Sequence, residues 1–142
     1  MASESRLYQI STDTRARLRK FRLNTSRAQS AQALILSIDK KSFEIQPSTG
    51  DVLATLEDIA DALPEHAPRF VLLSYPLTLG DGRLSVPYVM LNWMPATVGS
   101  ELRMLYAGAK ELVRNTAEVG KVLDVAEEED VLAVQEVLAG DS

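Results

Sequence analysis

An α/β (α+β) domain, with a mixed central β-sheet sandwiched between helices, is the fold class that the sequence predicts. Three observations point there. Helical patterns recur at intervals between pairs of β-rich stretches, in the order α β β α β β α β α, so helices are available for both faces of a sheet. Each β-rich pair is joined by a short turn of the kind that closes a hairpin. The chain has 142 residues, 46% hydrophobic and 25% charged, which fits one domain over 1–142 with a core large enough to be stable alone.

The elements follow from local chemistry. Ser11, Thr12, Asp13 and Thr14 offer an N-cap ahead of RARLRKFR, with Ile10 placed as a hydrophobic staple and Leu18 and Phe21 on the inner face. A basic first helix to about Arg22 is expected. The polar stretch NTSRAQS is a loop, and AQALILSID and KSFEIQ read as two strands around a turn at Asp39–Lys41. Thr55 and Asp58 have the spacing of a capping box, Leu56, Ile59 and Leu63 form a helical stripe, and Pro64 ends it. RFVLLSYPL and RLSVPYVMLNWM make a second hairpin through GDGR, with Pro76 and Pro87 arguing for edge positions or bulges. Gly99 and Ser100 open a long helix, KVLDV is a strand, and AEEEDVLAVQEVLAG is one last helix with acids on its N-terminal dipole and Gly140 to stop it.

Charge is unevenly spread. The net charge of −5 conceals seven basic and two acidic residues in 1–30, a balance of +5, against one basic and eight acidic in 118–142, a balance of −7. Such polarity can orient a protein partner, although the plainer reading of both charge runs is that they are solvated faces. Nucleic acid is excluded by the overall sign and the scarcity of aromatics for stacking. No apolar run approaches the length of a membrane span, and MASESRLYQ has no signal-peptide core, so a cytoplasmic chain with no membrane partner is expected.

A search for catalytic chemistry returns little. With no Cys there is neither a disulfide frame nor a thiolate nucleophile, and His66 is the only imidazole. No phosphate-cradling glycine loop, nucleophile elbow or zinc box is present. His66 in LPEHAPR reads as an exposed loop residue, and the carboxylates of EEED at 127–130 lack the spacing of a calcium loop. We therefore expect no metal, no cofactor and no enzymatic activity.

The long helix asks a question of its own. Its buried stripe is Leu102, Leu105, Tyr106, Ala109, Leu112, Val113 and Thr116, yet MLYAGAKELVRN carries a mid-helix Gly, which costs roughly 1 kcal/mol relative to Ala. At 100° per residue, Arg103, Lys110 and Arg114 fall in one band about 40° wide. Beside that band lie Met104, Ala107 and Glu111, with Gly108 at the flank. Periodicity alone leaves Met104 as either core filler or an exposed knob. It equally leaves Gly108 as a seat for a neighbouring segment or a low spot for a partner.

Several strings resemble one family. RMLYAGAK, coming after MLNWMP and before KVLDV, looks like the long helix of the actin-depolymerising factor/cofilin homology fold. RKFR, LPEHAPRF, DGRLSVP and MLYAGAK resemble the glia maturation factor branch of that family rather than cofilins, in order and at suitable spacing across almost the whole chain. Two departures from cofilins matter: Glu101 stands where they have a Lys before the helix Met, and their basic hairpin is reduced to GDGR.

The resemblance implies a mixed sheet flanked by two pairs of helices. It also implies a monomeric regulator of cortical actin that binds the actin-related protein 2/3 complex, inhibits branch nucleation and removes branches. The alternative is a cofilin-like protein that severs or depolymerises filaments. On the first reading Arg103, Met104, Ala107, Gly108, Lys110, Glu111 and Arg114 form a helix-in-groove docking surface, with Met104 as anchor and the cations as rim. A flexible N-terminus at 1–6, with Ser3, Glu4 and Ser5, is expected beside it, bordered by Arg19, Lys20 and Arg22. A second surface, of Asp81 and Arg83 with Glu127, Glu128 and Asp130, is expected to touch the first actin subunit of a daughter branch.

Overall fold

The structure, a computed structural model, describes residues 7–25, 29–48 and 50–140. Five strands form the main sheet in the order β2-β1-β3-β6-β7, with β1 Gln32–Ile38, β2 Ile45–Pro47, β3 Arg69–Ser74, β6 Tyr88–Trp93 and β7 Lys121–Val125. All neighbours are antiparallel except β6 and β7, which run parallel with Val89 opposite Lys121 and Trp93 opposite Val125. The mixed sheet expected from the sequence is present. Alternation along the strands makes two cores. Leu34, Leu36, Phe70, Leu72 and Met90 face one side, where α1 (Thr12–Thr25) and α3 (Ser100–Ala117) cover them. Ile35, Val71, Leu73, Leu91 and Trp93 face the other, beneath α2 (Leu56–Ala62), α4 (Glu128–Leu132) and α5 (Val134–Gly140).

Caps set the helix starts. Ser11 Oγ accepts from the Thr14 amide at 3.0 Å and Thr55 Oγ1 from the Asp58 amide at 3.0 Å, each satisfying one of the free donors of a first turn. Helix α1 runs three residues past the expected Arg22, because Thr25 turns back to donate to the Arg22 carbonyl at 2.6 Å and is itself buried.

Three expectations change. The first hairpin is real, but Ile38 pairs with Ile45 across a six-residue loop, so β2 begins later than KSFEIQ implied. Phe43 takes a left-handed backbone there (φ 61°). Strands β3 and β6 are central rather than edge strands; Pro76 and Pro87 sit where the hairpin leaves the sheet and continues as a separate ribbon of β4 (Leu77–Thr78) and β5 (Leu84–Ser85). The last helix is two, broken at Ala133.

The strands give the molecule two ends. The loops after β1, β6 and β7, the segment entering β3 and the start of α3 lie at one end; the β4–β5 ribbon and the C-terminal ends of α1 and α3 lie at the other.

Candidate docking surface

Helix α3 is anchored through its inner face and leaves its outer face clear. Tyr106, Ala109, Val113 and Ala117 are buried, while Leu102, Leu105 and Leu112 are half-buried against the same core. The Tyr106 hydroxyl accepts the Ile38 amide at 2.9 Å and its ring lies 5.4 Å from that of Phe70, which seats the helix over β1 and β3. On the outer side Met104 is 74% exposed, the most exposed large apolar side chain among the described residues. Ala107 and Glu111 are exposed beside it, and Lys110 is half-buried.

Gly108 is occupied from within the protein. A Cβ built on it would stand 2.5 Å from the Tyr8 hydroxyl, which donates to the Leu105 carbonyl at 2.7 Å. The tyrosine ring crosses the helix at that point and stacks on Phe43, with centroids 5.8 Å apart. The glycine thus has a structural cause that its helix pattern could not reveal.

The three cations expected as one rim have different surroundings. The Arg103 guanidinium reaches back to the Pro95 carbonyl at 3.1 Å and the Val98 carbonyl at 3.5 Å, fastening the first turn of α3 to the preceding loop. Gly99, the N-cap, makes no side-chain bond of its own. Arg114 pairs with Glu111 at 2.9 Å and reaches the Val119 carbonyl at 3.4 Å. That hydrogen-bonded guanidinium holds the Glu111 carboxyl below the usual range, and the carboxylate in turn raises Arg114. Lys110 has no ion pair among the described residues.

Ser3, Glu4 and Ser5 lie outside the described residues. The border of Arg19, Lys20 and Arg22 is divided. Arg19 and Arg22 line a cleft with Thr116 and Glu118, at the C-terminal end of α3, and Arg22 comes within 4.0 Å of Glu118. At 1.5 Å per residue that end is about 20 Å from Met104. Lys20, turned about 100° from Arg19, opens instead onto a groove floored by Phe21, Leu34 and Val52.

The expected second surface is also separated. Asp81 and Arg83 pair with each other at 2.6 Å on the ribbon beyond the Tyr88 end of β6. Parallel pairing of β7 with β6 carries Glu127 and Glu128 to the Trp93 end, beside Asp61 and Glu65. The length of β6, about 17 Å at 3.3 Å per residue, lies between the two groups. Glu127 and Asp130 form a reciprocal capping box, with Asp130 Oδ2 accepting the Ala126 and Glu127 amides at 2.9 and 3.1 Å.

His66 is exposed and its Nδ1 lies 2.9 Å from Thr97 Oγ1. Among the described residues no cluster of metal-ligating side chains occurs, and no helix is long and apolar enough to cross a membrane.

The model of the cofilin/tropomyosin-type actin-binding protein family matches residues 7–138. The chain belongs to that family. Within this actin-binding family it fits the glia maturation factors. It is 30% identical to human glia maturation factor beta over 122 residues, covering 86% of this chain and 84% of that protein. It is 40% identical over 129 residues to Protein AIM7 of Saccharomyces cerevisiae, covering 86% and 87%. The solution structure of glia maturation factor from Caenorhabditis elegans superposes with a TM-score of 0.75 at 30% identity, covering 92% of this chain and 94% of that one. A cofilin from Streptomyces griseoflavus shares the fold, with a TM-score of 0.74 at 17% identity over 95% and 97% of the two chains. The family is one of actin-binding proteins, of a non-enzymatic regulator type.

Proposed function

We propose that the protein binds the actin-related protein 2/3 complex, inhibits branch nucleation and promotes release of existing branches, acting in the cytoplasm at cortical actin structures. The observation that carries this reading is Met104, held outward on a helix whose opposite face is packed, in a chain that matches glia maturation factors over most of its length. A flexible thioether suits an anchor that must fit a partner groove, and Ala107 keeps the surface next to it low. Lys110 and Glu111 supply polar contacts at the margin, with Arg103, Gly108 and Arg114 holding the helix in shape. The N-terminal Ser3, Glu4 and Ser5 lead into Leu7 and Tyr8, which lies on α3, and so are assigned to the same contact.

Arg19 and Arg22 extend the contact at the far end of α3. Asp81 and Arg83, on the projecting ribbon, are assigned to the first actin subunit of the daughter branch, and Glu127, Glu128 and Asp130 to whatever part of the partner meets the opposite end. The protein acts as a monomer without cofactor or metal.

Single-branch lifetimes in fluorescence microscopy test this, with unbranched filaments followed in parallel. Branches should dissociate faster as the protein is added while unbranched filaments keep their length. Unchanged branch lifetimes at saturating protein would sink the proposal. Equal shortening of unbranched filaments would support a cofilin-like severing protein instead, a reading that Glu101 and the short Asp81–Arg83 tip disfavour.

A further inference from the structure

A groove of about 480 Å³ separates the β1–β2 loop from the N-terminal half of α3. Its apolar walls are Ile38, Pro68, Leu102 and Tyr106, and Lys40 and Lys41 stand on its rim. Both lysines are exposed, and neither has an ion pair among the described residues. Arg69 adds a third cation from the start of β3, its Nη1 donating to the Pro68 carbonyl at 2.7 Å. The one carboxylate in the lining, Asp39, is turned into its own loop, where Oδ1 accepts the Lys41 and Ser42 amides at 2.8 and 3.1 Å. Those two amides hold its pKa down, so it stays an anion committed to the backbone. The groove therefore presents apolar walls under a basic rim.

The loop that carries the lysines is fastened to α3. The Phe43 amide returns to the Asp39 carbonyl at 2.8 Å, and Phe43 adopts its left-handed backbone to do so. The Phe43 ring stacks on Tyr8, whose hydroxyl is bonded to Leu105 over Gly108. A chain of contacts thus runs from Gly108 through Tyr8 and Phe43 to Asp39, and it places Lys40 and Lys41 beside the helix without any partner present. A non-glycine residue in that backbone region costs about 1 kcal/mol or more and persists where the surroundings over-determine it.

We propose that this groove receives an acidic segment of the same protein partner on which Met104 docks, with the segment's carboxylates on Lys40 and Lys41 and an apolar side chain against Leu102 and Pro68. The inference extends the docking reading of α3. It rests on charge complementarity and on place: Leu102 lines the groove at the same end of α3 as Met104, though on the opposite side of the helix, so a partner reaches both by passing round the start of α3. A site built in advance avoids the ordering cost that a mobile loop would impose on binding.

The test uses the whole protein and two probes. The first is a synthetic peptide of Asp, Glu and Leu, followed by amide NMR shifts of the isotope-labelled chain. Shifts should gather at Lys40, Lys41, Leu102 and Tyr106 and disappear in the Lys40→Glu/Lys41→Glu variant. That variant should keep its unfolding midpoint, because Asp39 bonds to the backbone of this loop. No shifts at these residues, or shifts that survive the double reversal, would overturn the groove assignment whatever the protein's larger role. Binding of phosphatidylserine vesicles that depends on the same lysines, with no response to the peptide, would overturn it in favour of a lipid surface.

The second probe is the purified actin-related protein 2/3 complex. The double variant should bind it about tenfold more weakly at 0.1 M salt, with the difference shrinking as salt rises. Equal affinity of the two proteins would refute the shared-partner claim. If the peptide maps to the groove and the wild-type protein fails to bind the complex, the groove stands and the proposed function falls.

Discussion

Replacing Gly108 by Ala sets two known effects against each other, and Tyr8 decides between them. In an exposed helix interior the change should stabilise by roughly 1 kcal/mol, through reduced backbone freedom in the unfolded chain. Here the new Cβ would meet the Tyr8 hydroxyl at 2.5 Å, closer than non-bonded atoms can stand, whereas the ring carbon bearing the hydroxyl lies at an ordinary 3.5 Å. The tyrosine must swing away. That breaks its 2.7 Å bond to Leu105 and disturbs its stacking on Phe43, each worth about 1 kcal/mol. Gly108→Ala alone should therefore destabilise by about 1 kcal/mol net of the propensity gain.

Tyr8→Phe removes the colliding atom and keeps the ring. In that background Gly108→Ala should stabilise by about 1 kcal/mol, giving a coupling near 2 kcal/mol between two residues far apart in sequence. Urea midpoints of the four proteins, with equal m-values, complete the cycle. Additive effects within about 0.5 kcal/mol would refute the placement of Tyr8 over the helix.

Two further predictions concern single groups. Met104→Ala should leave the unfolding midpoint within about 0.5 kcal/mol of wild type, because the side chain is 74% exposed, while affinity for the actin-related protein 2/3 complex falls at least several-fold; a loss of 2–5 kcal/mol in stability would instead mark it as core. Burial pushes the Tyr88 hydroxyl up to about 12; the nearby Arg22 charge works against this and the Glu118 charge adds to it, both by less than burial. In the unfolded chain it ionises near 10, so the folded state keeps the proton that the unfolded state loses, and stability should fall as pH rises from about 10 through 12. Tyr88→Phe gives up the 2.8 Å bond to the Ala117 carbonyl, at about 1 kcal/mol near neutral pH, and should flatten that alkaline decline; an identical pH profile would refute the assignment.

What the sequence made legible was whatever depends on neighbours within a turn or two. Ser11 and Thr55 mark helix starts because a cap needs only the amide three residues on. The packed face of α3 was readable because its stripe runs through every turn. The break at Ala133 was hidden for the converse reason: Val131, Val134 and Leu138 keep one inward stripe across it, so periodicity continues where the helix does not. Long-range causes were silent. Tyr8 lies about a hundred residues from Gly108, and the parallel pairing of β7, which sends Glu127 and Asp81 to opposite ends, has no local signature. The groove beside Lys40 and Lys41 has no local signature either, since its walls come from three separate stretches of chain.

Holding the helix and meeting a partner are assigned to different residues around α3. Arg103 ties its start to Pro95 and Val98, Tyr8 crosses it at Gly108, and Arg114 ties its end to Val119, so the backbone beneath Met104 is fastened at three points along its length. What stays free among the residues of the outer face is small: Met104, Ala107 and Lys110, with Glu111 already engaged by Arg114. A surface so fixed gains affinity chiefly by avoiding loss of freedom on binding, and an anchor of one flexible side chain tolerates some variation in the groove it enters. The two charged neighbours most visible in the sequence, Arg103 and Arg114, are then the poorest reporters of docking. Substituting either one releases an end of the helix together with a charge, whereas Met104 and Lys110 can be changed with the scaffold intact.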